Sequence, residues 1–492
     1  MKRVAAAILA AAVAGCAGLP PKHKPVQLAS AAPLESPEAT GGEWPAQDWW
    51  KRYQDSTLDQ LITIGIGNSP NLAEAHARYE SARQSVRLAA AAAGVQVAAN
   101  ADINRQRLSD NGLFPPQLLG FTWYNQADLG IQVTYTFDWW GKQKDAVEAA
   151  MDQAHAAQAD RSASALMLAG SIADTYFGWQ ADQLRLALAR EKAAIIETEG
   201  KITSARVRAD LDTADDANHA ELALAAQREQ IAALEGSARL RVVALAALLG
   251  RSTDELPSLQ PKPLPTVAGL LPDDVKIDLI ARRADITASR WRVEAAERSL
   301  ASARAEFFPD ITINALAGLS SVDVGRLLEY SSRVPEVGAA IHLPIFDAGR
   351  LKARYGGAQA AIDSAVSTYQ DTVVIAARDV ATQAAMRAQV EAQRRQRAIQ
   401  LAAALRIKDT AGARVSQGLT DARPELMATE SWLEQRDALL QLDSQALSAD
   451  IALQRALGGG YDSSQEFRAS SSAASTPAAA SNPATASTPA IP

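Results

Sequence analysis

Three sets of residues have the types that could do chemistry. Cys16 is the only cysteine of the 492-residue chain. It follows Val13-Ala14-Gly15, and ahead of these lie Lys2, Arg3 and the apolar run from Val4 to Ala14. That run is too short to span a bilayer but has the build of a signal peptide. Small residues directly before a lone cysteine match a bacterial lipoprotein cleavage box, so acylation of the Cys16 thiol after cleavage is expected. A plain signal peptide with a chance cysteine and a plain cytosolic N-terminus are the alternatives. Ala17 follows instead of aspartate, the pattern of lipoproteins sent on to the outer membrane. A single thiol, consumed this way, excludes disulfides and cysteine-based metal sites.

The second set is acidic. Asp210, Asp212, Asp215 and Asp216 crowd one stretch, and Asp421 stands in an equivalent stretch much later. Aspartate is a good N-cap, so caps on a solvated turn are the ordinary reading. In an oligomer about an axis, the same residues would form carboxylate rings that favour cations, with Arg414 and Lys201 as partners. The third set, His23, His76, His155, His219 and His342, lies in separate segments without metal-ligand spacing. No nucleophile elbow, phosphate loop or dinucleotide glycine pattern occurs, and Gly458-Gly459-Gly460 ends a helical stretch and reads as a cap. We therefore expect no catalytic residue, metal or cofactor. A net charge of −7 gives no basic footprint for nucleic acid.

The elements that carry these residues follow from composition and repetition. Apolar residues make up 48 % of the chain but aromatics only 5 %. An alanine-rich core calls for long, closely packed helices. The stretch VTYTFDWWGKQKDA (133–146) is echoed by AIHLPIFDAGRLKA (340–353): an alternating strand, Phe-Asp, a glycine, a cation, then a long helix. An offset of 208 superposes Gly141 on Gly349, Ala205-Arg206-Val207 on Ala413-Arg414-Val415, and Leu249-Gly250 on Leu457-Gly458. An offset of 214 superposes residues 71–101 on 285–315. One period this long indicates a duplicated half-protein.

Each half reads as helix, strand, strand, long helix, helix. The strands alternate. Val95, Val97, Ala99, Ala101 and Ile103 oppose Gln96, Asn100, Asp102 and Asn104; Leu129, Ile131, Val133, Tyr135 and Phe137 oppose Gln132, Thr134, Thr136 and Asp138. In the second half Ile311, Ile313, Ala315, Ala317 and Leu319 oppose Thr312, Asn314 and Ser320. Val337, Ala339, Ile341, Leu343 and Ile345 oppose Gly338, His342 and Pro344. Runs of about ten residues cross a bilayer as tilted strands. Trp123, Tyr124, Trp139, Trp140, Phe307 and Phe308 near the strand ends fit interface aromatics. Periodicity alone fits a soluble sandwich equally well. Four strands cannot close a membrane barrel, so a membrane reading requires oligomers, and three copies give twelve strands. After each corner a proline-free stretch, Gly141 to about Ala209 and Gly349 to Gly418, forms a helix on the order of 100 Å long. It turns at 209–216 or 417–425 and returns.

These residues resemble a known family, the TolC-like outer-membrane efflux lipoproteins of the NodT type. The resemblance covers about Trp44 to Tyr461 and is carried by WWKRYQDSTLDQLI, NSPNLAEAHAR, FDWWGK, RRADI, FFPDITINALAGLSS, LPIFDAGR and the terminal ALGGG. It implies a mainly α fold with a β-barrel part: a long α-helical coiled-coil tunnel and four transmembrane strands per chain, a homotrimer sharing one twelve-stranded barrel. It further implies a passive exit duct for small molecules, in the outer membrane and extending into the periplasm, fed by a periplasmic adaptor protein and an inner-membrane transporter. Barrel-lumen candidates are Gln96, Asn100, Gln132, Thr134, Thr136 and Asn314. The constriction candidates are the five aspartates, although Thr420 stands where related channels often carry an acid. The expected division is signal peptide 1–15, lipid-anchored linker 16–45, repeats 46–250 and 251–460, and a disordered tail 461–492. A type I secretion duct and a lipid-anchored scaffold without a pore are the alternatives.

Overall fold

Two proline-free, alanine-rich runs form the two longest helices, Lys142–Arg208 and Arg350–Ser416, each of 67 residues. The computed structural model describes residues 28, 42–111, 115–266, 272 and 275–462. The signal peptide, Cys16, most of the tether, His23 and residues 463–492 of the tail lie outside the described residues. Apart from a single turn at Pro116–Leu119 and short 3-10 segments, the helices among the described residues are α1 (Ser56–Asn68), α2 (Pro70–Ala92), α3 (Lys142–Arg208), α4 (Ala214–Leu249), α5 (Val275–Arg282), α6 (Ala284–Ala305), α7 (Arg350–Ser416) and α8 (Arg423–Ala456). The strands are β1 (Gln96–Arg107), β2 (Trp123–Phe137), β3 (Asp310–Ser321) and β4 (Arg333–His342). Each half thus runs helix, two strands, a long helix and a return helix.

The chain divides into two compact units, each drawing on both halves. One holds Pro70–Ser164 and Ala288–Val374; the other holds the described parts of 42–69, 165–287 and 375–462. In the first unit all four strands form one antiparallel sheet in the order β1-β2-β3-β4. Its register aligns like with like. Val97, Val133, Ala315 and Val337 form one cross-strand row, and Gln96, Thr134, Asn314 and Gly338 the next. Both faces are largely uncovered: β1 and β4 are exposed along their whole length, and Val97, Ile103, Val337 and Ile341 are 65–81 % exposed. Gly130 faces Gly318 across the central pair. A Cβ on Gly130 would stand 2.9 Å from Leu316 Cδ1, so the pair lets that leucine lie over the sheet.

One strand differs from expectation. β4 runs Arg333–His342, so Leu343, Pro344 and Ile345 leave the sheet. Pro344 has no N–H to give a ladder, whereas Pro335 is tolerated inside β4 because β4 is an edge.

At both corners a left-handed glycine, Gly141 (φ 79°) and Gly349 (φ 86°), turns the strand exit into the helix. An aspartate then caps each helix: Asp138 accepts from the Lys144 amide at 2.8 Å, and Asp347 accepts from Leu351 at 2.7 Å and Gly349 at 3.0 Å. The Leu351 amide holds the Asp347 carboxyl below its ordinary range. The first corner is further pinned by Lys142 to Asp310 (3.1 Å), by the Trp140 indole N–H to the Pro309 carbonyl (3.0 Å), and by Trp140 stacked on Phe308 at 4.6 Å. Phe307, expected among the interface aromatics, instead packs with Leu300, Tyr355 and Ile362 in the seam between α6 and α7.

The repeat is not covered evenly. α6 buries Ala288, Val293, Ala295, Leu300, Ala303 and Ala305, whereas its counterpart α2 buries only Leu72 and Ala75. Between α6 and α3, Arg298 meets Glu148 at 2.9 Å, Arg292 pairs with Asp160, and His155 lies 4.8 Å from Trp291. Burial, with Glu294 adding to it, pushes the Asp152 carboxyl up to about 6 from 3.8. Its stabilising contribution is therefore complete below about pH 3.8 and is lost as the pH rises through about 6. His155 has the opposite sign, since burial lowers its pKa and its contribution is lost as the pH falls below 6.5. Asp152→Asn should raise stability at pH 7.5 by up to about 1 kcal/mol, because a half-exposed carboxylate is screened. Calorimetry at pH 7.5 and 4.5 should show the gain at the higher pH only; an equal gain at both would exclude the ionised carboxylate as its source.

The second unit has an apolar core of its own. Leu58, Leu61, Ile62, Ile172, Tyr176, Leu245 and Leu249 are almost fully buried where α1 lies on α3 and α4. Gly65 allows that approach: a Cβ there would meet Ile172 Cδ1 at 2.4 Å. Asp55 caps α1 through the Thr57 amide (2.9 Å) and also accepts from the Tyr176 hydroxyl (2.8 Å) and Lys262 (3.0 Å). Burial and the bond to Asp55 push the Tyr176 hydroxyl up to about 12, so it stays a donor at neutral pH. The terminal glycines do more than cap. Gly458, Gly459 and Gly460 are all left-handed, and a Cβ on Gly458 would lie 1.9 Å from the Arg282 carbonyl oxygen.

Candidate functional site: the polar sheet face and the helical turns

The six lumen candidates fall on one face of the sheet. Gln96 and Asn100 on β1, Gln132, Thr134 and Thr136 on β2, and Asn314 on β3 share the parity that the ladder fixes. Thr134 donates to Asn314 at 3.1 Å, Thr136 and Thr312 are 3.1 Å apart, and Gln126 donates to Ser320 at 2.9 Å. These bonds tie β2 to β3, the inner strands of the two halves. Gln96 departs from expectation, since its amide donates to the Ala91 carbonyl at 2.7 Å and caps the end of α2.

Four acidic residues share this face, Asp102, Asp128, Asp310 and Glu336, with His342 beside Asp310 at its end. Asp310 is paired with Lys142. Asp102 was legible on the polar side of its strand; Asp128 and Glu336 were not singled out, though alternation places them there.

The aspartate cluster resolves into different roles. Asp212 accepts both guanidinium arms of Arg206, at 2.8 and 2.9 Å, which holds its carboxyl below the usual range. Asp216 and Thr213 form a reciprocal capping box on α4. The Thr213 hydroxyl and amide lower the Asp216 pKa. Asp421 accepts from the Arg423 amide at 3.1 Å and lies 3.3 Å from its guanidinium, which also reaches to 3.7 Å from Asp212. Arg423 thus links the α3–α4 turn to the α7–α8 turn. Asp210 takes the left-handed position of its turn (φ 57°), and it and Asp215 are exposed with no carboxylate partner among the described residues. The expected partners were wrong. Lys201 pairs with Glu197 at 2.9 Å, and Arg206 and Arg423 stand where Lys201 and Arg414 were expected. The usable signal was the arginine six positions before Asp212, which a C-terminal helical turn folds back onto it.

Sequence gave no hint of Asp450. It is wholly buried on α8, accepts from the Tyr53 hydroxyl at 2.8 Å, and has Arg52 and Arg387 each 3.8 Å away. Burial and the neighbouring Asp450 raise the Tyr53 pKa, so its hydroxyl stays a donor.

A sheet with one apolar and one acidic-polar face, neither covered, joined through capped corners to two long helical hairpins, defines a class: outer-membrane proteins built for passage of solutes. The chain belongs to the outer membrane efflux protein family, whose profile matches residues 61–251 and 277–459. The multidrug resistance outer membrane protein MdtP of Escherichia coli K12 is 34 % identical over 428 residues, covering 85 % of this chain and 87 % of MdtP. The multidrug resistance outer membrane protein MdtQ of Escherichia coli O157:H7 is 32 % identical over 467 residues, covering 91 % and 96 %. The crystal structure of the outer membrane protein VceC from Vibrio cholerae matches with a TM-score of 0.76 at 31 % identity, over 85 % of this chain and all of VceC. The mainly helical fold with its small sheet and the outer-membrane location thus agree with the sequence reading.

Proposed function

We propose that three copies of this chain form one channel through which small toxic compounds leave the cell without any bond being made or broken. The observation that carries this is the sheet: twelve-residue β1 and ten-residue β4 are unpaired on their outer edges, and both faces are uncovered. An open edge is not tolerated in lipid. Pairing β1 of one protomer with β4 of the next removes every edge and gives twelve strands, with the apolar face outward and Gln96, Asn100, Gln132, Thr134, Thr136 and Asn314 lining the lumen. The uncovered α2 would gain the cover that α6 already has within the chain. The acylated Cys16 would hold each N-terminus to the membrane, and the division into two repeats with a lipid-anchored linker follows from the same reading.

The helical turns would meet a periplasmic adaptor that delivers substrate from an inner-membrane pump. Leu211 and Leu419, 208 positions apart, each follow a left-handed residue and donate their amides back to Arg206 and Arg414 at 2.9 Å. Both side chains are exposed, 62 % and 68 %. Three chains would present six such leucines, a surface suited to a partner of matching symmetry.

The test is the mass of the detergent-purified protein together with conductance in planar bilayers. Three mature chains per particle and discrete channels are expected. A monomer that conducts nothing would refute the channel and favour a lipid-anchored scaffold.

A further inference from the structure

The outward, apolar face of the sheet carries charge at one end only, and all of it is positive. By the ladder parity, this face holds Val97, Ala99, Ala101, Ile103, Arg105 and Arg107 on β1, and Trp123 opposite Arg107 on β2. On β3 it holds Ile311 to Ser321 at odd positions, and on β4 Arg333, Pro335, Val337, Ala339 and Ile341. No acidic residue lies on it, whereas the opposite face carries four. All three arginines stand at the end away from the helix corners. Ten residues from Val97 to Arg107 span about 33 Å of strand, or about 25 Å of membrane normal at the usual tilt. That equals the height of a barrel's apolar band, so Arg107 falls at its outer boundary, with Arg105 two residues inside it. Arg333, in the cross-strand row of Leu319, Leu129 and Ala101, is the first residue of β4 at the same hairpin end.

We infer that Arg105, Arg107 and Arg333 form a binding site for a phosphorylated lipid headgroup of the outer leaflet; this rests on the channel reading above. Arginine on a lipid-facing surface is strongly disfavoured at mid-depth and tolerated near the interface, where its head reaches the headgroups. The guanidinium edge matches phosphate bidentately. Arg105 lies with its guanidinium carbon 5.7 Å from the Trp123 ring centre and Arg333 3.9 Å from that of Tyr330, within cation–π reach. Neither has a carboxylate within ion-pair reach among the described residues. Arg107 has one, Asp110, at 3.2 Å in the β1–β2 connection. Trp123 and Tyr330, 54 % and 78 % exposed, supply the ring surfaces that accompany headgroups at an interface. Closing β1 against β4 of a neighbouring protomer brings Arg333 to the same end as Arg105 and Arg107. The site is therefore divided between two half-sites in one chain and completed in the trimer, three times over.

The test is native mass spectrometry of the detergent-purified full chain after incubation with lipid A bearing two phosphates, or with its dephosphorylated form. The parent should retain the phosphorylated lipid preferentially, by about fivefold for each arginine engaged. R105Q/R107Q/R333Q should abolish that preference, and R105K/R107K/R333K should keep part of it. Arg326→Gln, in the β3–β4 connection and paired with Glu329 at 3.0 Å, should bind like the parent. A three-chain particle that retains both lipids equally, or a glutamine variant that keeps the preference, overturns the site and leaves the channel standing. A monomer overturns the channel, and the site with it.

Discussion

Asp450→Ala will lower the stability of the helical unit by about 3–5 kcal/mol, the usual cost of removing one partner from a buried charge cluster. The carboxylate has no exposed surface; α8 supplies it, α7 supplies Arg387, and the turn before α1 supplies Arg52 and Tyr53. Its removal leaves arginine charge in a site built for a compensating anion, and the Tyr53 hydroxyl loses its acceptor. Asp450→Asn keeps the volume and the acceptor for Tyr53 but loses the charge, so it should fall between parent and alanine variant. Tyr53→Phe should cost about 1 kcal/mol, one hydrogen bond. Unfolding midpoints in guanidinium, followed by helical circular dichroism, will rank the three. Equal midpoints for Asp450→Ala and parent would mean that the charges there are hydrated and uncoupled.

At the helical turns, four of the five aspartates will separate into three groups in planar bilayers. Asp210→Asn with Asp215→Asn should reduce the preference for cations over anions several-fold, because these two carboxylates are exposed and unneutralised and would be repeated around the axis. Asp212→Ala should do something else. It frees Arg206 and removes the partner through which Arg423 ties the two turns together, so the resting conductance should rise several-fold. Asp216→Ala removes half of a capping box and should act on the start of α4, not on selectivity. If Asp210 and Asp215 can be neutralised without any change in ion preference, the turns are not the selective part of the path, and Asp102, Asp128 and Glu336 on the sheet face become the residues to test.

Much of the fold was legible because its determinants are local or repeated. Alternation gave the faces of β1, β2 and β3, and the absence of proline gave the extent of α3 and α7. The Phe-Asp and glycine signature gave both corners. β4 slipped because the apolar alternation runs on past His342 through Leu343 and Ile345, and only the ladder reveals where pairing stops. Phe307 was misread because an aromatic at a strand end and one in a helix seam look alike in sequence. Of the candidate site, the polar face was readable by parity. The partners of the aspartates were not, since Arg423 approaches Asp212 across two turns that are far apart in sequence. Asp450 and Tyr53 are 397 positions apart and carry no spacing signal at all.

The two free strand edges have a further consequence. Joining β1 of one chain to β4 of the next is a head-to-tail contact, and such contacts give a ring only when the rotation per copy closes, and an open helical polymer when it does not. Strand number, tilt and stagger are linked in any closed barrel. The copy number is therefore written in the twist of the four strands. A side chain at Gly130 or Gly318, where the central pair approaches closely, would therefore bear on the number of subunits as much as any side chain at the contact itself.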